Sequence, residues 1–305
     1  MTDIAVTAPG TGTKLAAEEQ TWPLQHITLA GQRWPAPEGI SGNSTATVLL
    51  HGWLDNSETF SLLAPKLGTL GELFAVDMAG HGHSGHRPDG QAYLLVDYVA
   101  DLAELLETHF LTDDQPQVDL VGHSLGGIVS MLYAATFPEH VRRLVMIDSL
   151  GPLSRPPEAF VGQLRKAIRK RIAGSGRPVV YPDLETAAKA RSGGLSPLSD
   201  MASMKLIGRS MKPVKGGYVW QTDSRLRHPS PMMMDEAQVE ACLKEVAVRS
   251  LFIRASSGLL ADSRSFSHRL DSFPDLTVVD VPGGHHCHLD GDVGPVATAI
   301  REFLE

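Results

Sequence analysis

The chain has 305 residues, 42% of them hydrophobic and 20% charged, with a formal net charge of −8. This is the composition of a folded globular protein, which excludes disordered, collagenous and membrane-spanning classes. The acidic balance argues against a general electrostatic partnership with nucleic acid or anionic lipid.

Residues 1–20 (MTDIAVTAPGTGTKLAAEEQ) read as a loose leader without the basic start and apolar core of a signal peptide. The two cysteines, Cys242 and Cys287, are too few for a secreted disulfide framework, so a cytoplasmic location is expected, with no membrane partner. Short apolar runs then alternate with helical patterns. TATVLLHGW (45–53) reads as a buried strand and ETFSLLAPKL (58–67) as helix-compatible. GELFAVDMAG (71–80) is a second strand, and YLLVDYVADLAELLETHF (93–110) has apolar residues at helical spacing. QVDLVGHS (117–124) runs into the helical LGGIVSMLYAATF (125–137), which Pro138 stops, and RRLVMIDSLG (142–151) is a fourth strand. Continuous apolar strands of this kind suit a parallel sheet covered on both faces.

The alternation breaks over residues 151–240, which hold helical patches, Gly-Gly pairs and six of the ten methionines. It resumes with VRSLFIRAS (248–256), a helical patch around 261–273, TVVDVPGG (277–284) and the helix VATAIREFL (296–304). The reading is an α/β core over 21–150 and 241–305 interrupted by a helical cap at 151–240. Charge follows that division. The insertion carries 15 Lys and Arg against 8 Asp and Glu, a net of +7, and the remainder a net of −15. The basic run QLRKAIRKR (163–171) reads as a solvated helix face.

The strongest chemical signal is Gly122-His123-Ser124-Leu125-Gly126, placed where a strand ends and a helix begins. A serine on such a sharp turn needs glycine two positions to either side, because a side chain there would strike neighbouring backbone. The turn also sets its hydroxyl at a helix N-terminus, where free N–H groups favour an anionic transition state. A base is available in Gly283-Gly284-His285-His286-Cys287-His288, just past the last strand. His285 is the candidate general base, with His288 a structural neighbour. A metal reading of the same run fails, because HHCH is too compact for one tetrahedral set. His51-Gly52-Trp53 closes the first strand, and a tight turn there aims the Trp53 N–H at the same point as that of Leu125. The two form a candidate oxyanion hole, while His51 reads as a packed structural residue. Gly80, Gly82 and Gly85 satisfy G-x-G-x-x-G, but turn-forming HRPDGQ follows where a dinucleotide site requires a helix.

The motifs H-G-W, D-x-x-G-H-G-x-S, G-x-S-x-G-G and the late G-H-x-x-H resemble, in order and spacing, the α/β-hydrolase superfamily. Within it, HGWLDNSETFSLLAPKL, DSRLRHPSP and VPGGHHCHL resemble the serine hydrolase-like proteins. The resemblance implies an eight-stranded, mostly parallel sheet with a helical cap inserted after the sixth strand, and a Ser–His–acid triad in which Ser124 and His285 match nucleophile and base. The acid departs from the common pattern. Most members place an aspartate just after the seventh strand, where this chain has Ser256-Ser257-Gly258 and no carboxylate before Asp262. Some relatives draw it from the end of the sixth strand, where Asp148 closes LVMID; Asp148 is favoured and Asp262 is its rival. Serine in the elbow sets the chain apart from dehalogenase-like and epoxide hydrolase-like members, whose nucleophile is aspartate.

The expected activity is cofactor-independent hydrolysis of a small or medium ester through an acyl-enzyme. The alternatives are a C–C bond hydrolase or cofactor-free dioxygenase on the same scaffold, and a non-catalytic binding module. Neither cofactor nor metal is expected. The expected partner is a small ester or acyl substrate, with a homodimer one option. In the cap, the methionines at 201, 204, 211 and 232–234 are candidates for an apolar pocket or for ordinary core. Arg225 and Arg227 are candidates for meeting an anionic substrate or for plain solvation. Cys287 reads as packing.

Overall fold

The computed structural model describes residues 16–36, 45–194, 196–262 and 266–305. Its main sheet has eight strands in the order β1-β2-β4-β3-β5-β6-β9-β10. These are β1 (Glu18–Pro23), β2 (Thr28–Trp34), β3 (Thr47–Leu50), β4 (Leu73–Asp77), β5 (Val118–His123), β6 (Val141–Ile147), β9 (Arg249–Ser257) and β10 (Leu276–Gly284). The pairings β1–β2 and β2–β4 are antiparallel and the remaining five are parallel. Helices α1 (Leu95–His109), α2 (Leu125–Thr136) and α8 (Gly294–Leu304) connect or follow the central strands.

The continuous apolar runs have a simple cause. Alternate residues of one strand supply opposite faces of the sheet, and both faces are covered. Val48 and Leu50, Leu120, Leu144 and Met146, and Phe252 enter one core layer with α1 and α2. Leu49, Val121, Val145 and Ile147, and Leu251 and Ile253 enter the other with α8. All four residues of β3 are buried, each large apolar one contributing on the order of 1.5–3 kcal/mol.

Two local expectations change. β1 starts at Glu18, inside the stretch expected to be loose, because Trp22 is buried and the strand pairs with β2 through Glu18↔Arg33 to Pro23↔Thr28; residues 1–15 of that stretch lie outside the described residues. The helix-compatible stretch at 58–67 breaks into short 3-10 turns, Ser57–Phe60 and Ala64–Lys66. Pro65 sits at the start of the second of these turns, where its missing N–H does no harm.

Between β6 and β9 lie α3 (Phe160–Ala173), α4 (Leu184–Ser192), α5 (Asp200–Ser210), a hairpin of β7 (Met211–Val214) and β8 (Gly217–Trp220), and α6 (Glu236–Lys244). The insertion therefore includes a two-stranded hairpin that the helical reading of 151–240 did not contain. Its strands are short, and Met211 joins Ala187, Ala188 and Ile207 in a small separate core. The short α7 (Ser267–Leu270) links β9 to β10. No helix among the described residues is long and apolar enough to cross a membrane.

Candidate active site

Ser124 ends β5 and caps α2 with φ 50° and ψ −114°, a left-handed conformation that costs energy in a residue with a side chain. The flanking glycines make the bend sterically feasible. A Cβ on Gly122 would collide with the backbone of Gly126, and one on Gly126 with the carbonyl of Leu50. The Ser124 N–H donates to Ile147 O at 3.1 Å and the Gly126 N–H to His51 O at 3.0 Å. These bonds tie the bend to β6 on one side and to the His51-Gly52-Trp53 turn on the other.

Asp148 occupies the matching position one strand over. It follows β6 directly, its N–H donates to Ile253 O at 2.8 Å, and it too has positive φ, 44°. His285 follows β10 and donates from Nδ1 to Asp148 Oδ2 at 2.6 Å; the side chains are 9% and 0% exposed. The same carboxylate oxygen accepts the Leu259 N–H at 2.8 Å. Gly258 lies flat against the carboxylate, since a Cβ there would sit 2.5 Å from both its oxygens. At the end of β9, where the common pattern supplies an acid, this chain supplies the backbone that receives Asp148. Asp262 is exposed. With Nδ1 carrying the proton that bridges to Asp148, the imidazole keeps Nε2 as its basic nitrogen.

The His51-Gly52-Trp53 turn is braced from below. The Met78 N–H donates to His51 Nε2 at 2.9 Å, so His51 Nδ1 carries the proton donated to Gly52 O at 2.7 Å. Fully buried, His51 is structural. The Leu54 N–H is taken by His81 Nε2 at 3.2 Å. Leu125 opens α2, so its N–H has no acceptor within the helix. The Trp53 indole donates to Leu226 O in the insertion at 3.0 Å. The Gly80–Gly85 segment is a turn around Asp77, whose carboxylate accepts the N–H groups of Ser57 and His83 at 2.7 and 2.9 Å. Helix α1 begins only at Leu95.

The histidines of GGHHCH divide rather than converge. While His285 turns to Asp148, His286 Nε2 lies 2.9 Å from Asp55 Oδ2 and His288 Nε2 lies 2.9 Å from Thr59 Oγ1. Asp55 also receives Arg191 Nη2 at 2.7 Å. Burial alone would raise the Asp55 pKa, but His286, by charge and hydrogen bond, and then Arg191 hold it well below the usual carboxylate range. His123 donates from Nε2 to the His285 carbonyl at 2.9 Å, joining the residue before the serine to the residue proposed as base. Burial, reinforced by His288, His285 and His286, keeps His123 neutral, and its Nδ1 is buried without a hydrogen-bond partner, 3.8 Å from Asp55 Oδ2. Potential ligand atoms of Asp55, His123 and His286 lie within 4.8 Å of one another. At Asp55 the positive charge is already provided by Arg191. The sequence reading gave Asp55, His123, His286 and Arg191 no role of their own. Only the histidine beside the serine and the aspartate four residues after His51 gave a local signal.

Ser124 and His285 line one cavity of about 320 Å³ together with Gly52, Trp53, Tyr181 and Trp220. Among the described residues that line it there is no methionine. Met201 and Met232 are 60% and 65% exposed, and Met211 is in the insertion's own core. The apolar wall comes from aromatic residues instead, with Tyr181 and Trp220 edge-on at 6.2 Å. Cys287 is buried in the α8 core layer, where burial and then Asp148 push its thiol up to about 12.

A family model for the alpha/beta hydrolase fold matches residues 46–292. A serine hydrolase-like protein of Danio rerio is 32% identical over 302 residues, covering 95% of this chain and 89% of the relative. A 2-(acetamidomethylene)succinate hydrolase of Mesorhizobium japonicum is 27% identical over 285 residues, covering 87% and 89%. The crystal structure of a hypothetical protein from Pseudomonas aeruginosa PAO1 superimposes with a TM-score of 0.85 at 37% identity, covering 94% of this chain and 98% of that one. The chain belongs to the alpha/beta hydrolase fold family and, within it, is similar over most of its length to serine hydrolase-like proteins.

Proposed function

We propose that the protein is a serine hydrolase that cleaves a carboxylic ester by way of an acyl-enzyme, with the insertion over 151–240 serving as the cap that shapes the substrate site. One observation carries this reading. Ser124, in its left-handed bend, and His285, with Nδ1 2.6 Å from a buried carboxylate, face the same cavity.

In the first step Ser124 Oγ attacks the ester carbonyl carbon while His285 Nε2 takes the hydroxyl proton. Asp148 remains ionised and stabilises the imidazolium. The N–H groups of Trp53 and Leu125 receive the developing oxyanion. Collapse breaks the bond to the alkoxy group, which leaves as the alcohol with the proton from His285. Water then enters, loses a proton to His285 and attacks the acyl carbon. The acid departs and the proton returns to Ser124. His123 holds the His285 main chain by its carbonyl and is a positioning residue.

The test is labelling by a neutral fluorophosphonate probe alongside turnover of an ester series. Wild type should label and turn over, and Ser124→Ala should do neither. Folded wild type that fails to label would overturn the proposal. An oxygen-uptake trace with heterocyclic diols separates ester hydrolysis from cofactor-free oxygenation.

A further inference from the structure

The two arginines of DSRLRHPSP have different surroundings. Arg225 is saturated. Its guanidinium pairs with Asp223 and donates to the carbonyls of Pro88, Gln91 and Arg87 at 2.7, 3.2 and 2.6 Å. Its charge and its donors are used in holding the insertion to the loop before α1. Arg227, two residues on, lines the cavity that contains Ser124 and His285. Among the described residues its guanidinium has neither a carboxylate within ion-pair distance nor a hydrogen-bond acceptor. The other guanidinium on that cavity wall, Arg191, is neutralised by Asp55. Arg227 is exposed at the cavity wall and is, among the described residues, the cavity's guanidinium without a carboxylate partner.

The main chain next to Arg227 touches Trp53. Leu226 O, one residue before Arg227, accepts the Trp53 indole N–H at 3.0 Å. The main-chain N–H of that same Trp53 is the proposed oxyanion donor. The proposed oxyanion site and Arg227 therefore both lie on the wall of one cavity of about 320 Å³. A substrate that reaches both is short. A guanidinium presents a planar fork of N–H donors that matches a carboxylate.

From this, and resting on the ester-hydrolase reading above, we infer that the substrate is a small ester bearing a free carboxylate a few bonds from the scissile carbonyl, with Arg227 as its anchor. Trp53, Tyr181 and Trp220 enclose the carbon chain between the two ends.

The experiment pairs monoethyl succinate, glutarate and adipate with neutral ethyl esters in which an isopropyl group replaces the carboxylate. Ethanol release gives kcat/KM for each. For wild type the best charged ester should exceed its neutral partner by about tenfold or more, the scale of one charge-assisted hydrogen bond. Arg227→Gln should bring that ratio down about tenfold or more, and Arg227→Lys should retain part of it. A binding readout that needs no turnover runs in parallel: glutarate should raise the melting temperature of wild type and not that of Arg227→Gln. The inference is overturned if the neutral esters are preferred at all three chain lengths, if the ratio is unchanged in Arg227→Gln, or if glutarate leaves wild-type melting unmoved. Fluorophosphonate labelling and turnover of neutral esters without a charge preference would remove this inference and leave the hydrolase reading standing. Absence of labelling would remove that reading, while the melting shift still reports on the anion site.

Discussion

Replacing Asp148 by asparagine changes one charge and little volume, and its consequences can be worked from the local bonds. Asp148 Oδ2 accepts from both His285 Nδ1, at 2.6 Å, and the Leu259 N–H, at 2.8 Å, while Oδ1 is buried without a partner. An asparagine oxygen in the place of Oδ2 keeps both bonds and leaves an amide NH2 buried without an acceptor, at a cost of about 1–3 kcal/mol. Turned the other way, the amide opposes two donors, and His285 must shift its proton to Nε2, which removes the base. Neither arrangement retains the carboxylate that stabilises an imidazolium in the transition state. A loss of about 10⁴-fold in kcat, roughly 5.5 kcal/mol, is expected from the known behaviour of Ser–His–Asp sites. The assay is ester turnover together with the rate of fluorophosphonate labelling, on protein shown by denaturation to be folded. Asp262→Asn, at an exposed position, serves as comparison and should stay within about twofold of wild type, in line with surface substitutions generally. If Asp148→Asn retained more than a tenth of wild-type kcat, or if Asp262→Asn were the more damaging, the role given to Asp148 would be wrong.

Gly258→Ala places a Cβ 2.5 Å from the Asp148 carboxylate oxygens. The acid must move, and kcat/KM for an ester should fall by about 10–100-fold, whereas wild-type rates would show that the contact does not position it. Arg191→Met takes from the buried Asp55 its guanidinium and leaves His286 as the partner at 2.9 Å, which should cost about 3 kcal/mol in urea denaturation; a loss below about 1 kcal/mol would refute that. Stability should also fall as the pH drops below about 6.5, through buried histidines. His81 is fully buried and held down to about 3 by burial and then by His51, from an ordinary value of 6.5, and burial lowers His51, His123 and His288 as well. Such groups are neutral when folded and bind protons when unfolded, so their contribution is full above about pH 6.5 and declines below it. For His81 alone the loss by pH 5 is about 2 kcal/mol. Urea midpoints at pH 7.5, 6 and 5 measure it, and a midpoint unchanged down to pH 5 would exclude it.

Much of the architecture was legible because it depends on local sequence. The elbow could be read because Gly122 and Gly126 answer steric demands that act within four residues. Strands β3, β5, β6 and β9 could be read because both faces of the sheet are covered, so their apolar runs are uninterrupted. β1 was not legible: it is an edge strand with one buried residue, Trp22, among six. Of the methionines, read as pocket or core, Met211 and Met234 are in or against core and Met201 and Met232 are exposed, because composition does not say which way a side chain faces. Asp55 was invisible for a different reason. Its partners His286 and Arg191 are 231 and 136 residues away in the chain, and a local pattern cannot report a buried ion that is completed from two other parts of the fold.

The charge division between insertion and remainder has a structural origin that its net value conceals. Three settings of cation can be distinguished in the insertion. Those of α3, such as Arg165, Lys166 and Arg169, are exposed and form the solvated face that the sequence suggested. A second kind docks. Arg209 reaches from α5 to Asp77 and Glu19, both at 2.6 Å, and Arg191 from α4 to Asp55 at 2.7 Å. Acidic residues of the main sheet and its loops thus meet basic residues of the insertion at buried contacts. Asn56 adds bonds to Leu206 O and Ser210 Oγ at 3.0 and 2.9 Å. A buried pair of this kind need not add net stability. If the insertion tilted away and separated the partners, a buried charge would be left uncompensated, at a cost of several kcal/mol. The pairs therefore favour one seating of the insertion, the seating in which Leu226 O meets the Trp53 indole and the roof of the cavity stands at a fixed height above Ser124. The third setting is that of Arg227, exposed at the cavity wall and without an ion-pair partner among the described residues. Because the docking contacts fix the main chain that carries Arg227, its exposed side chain extends from a fixed point on the cavity wall, which is what the proposed carboxylate anchor requires.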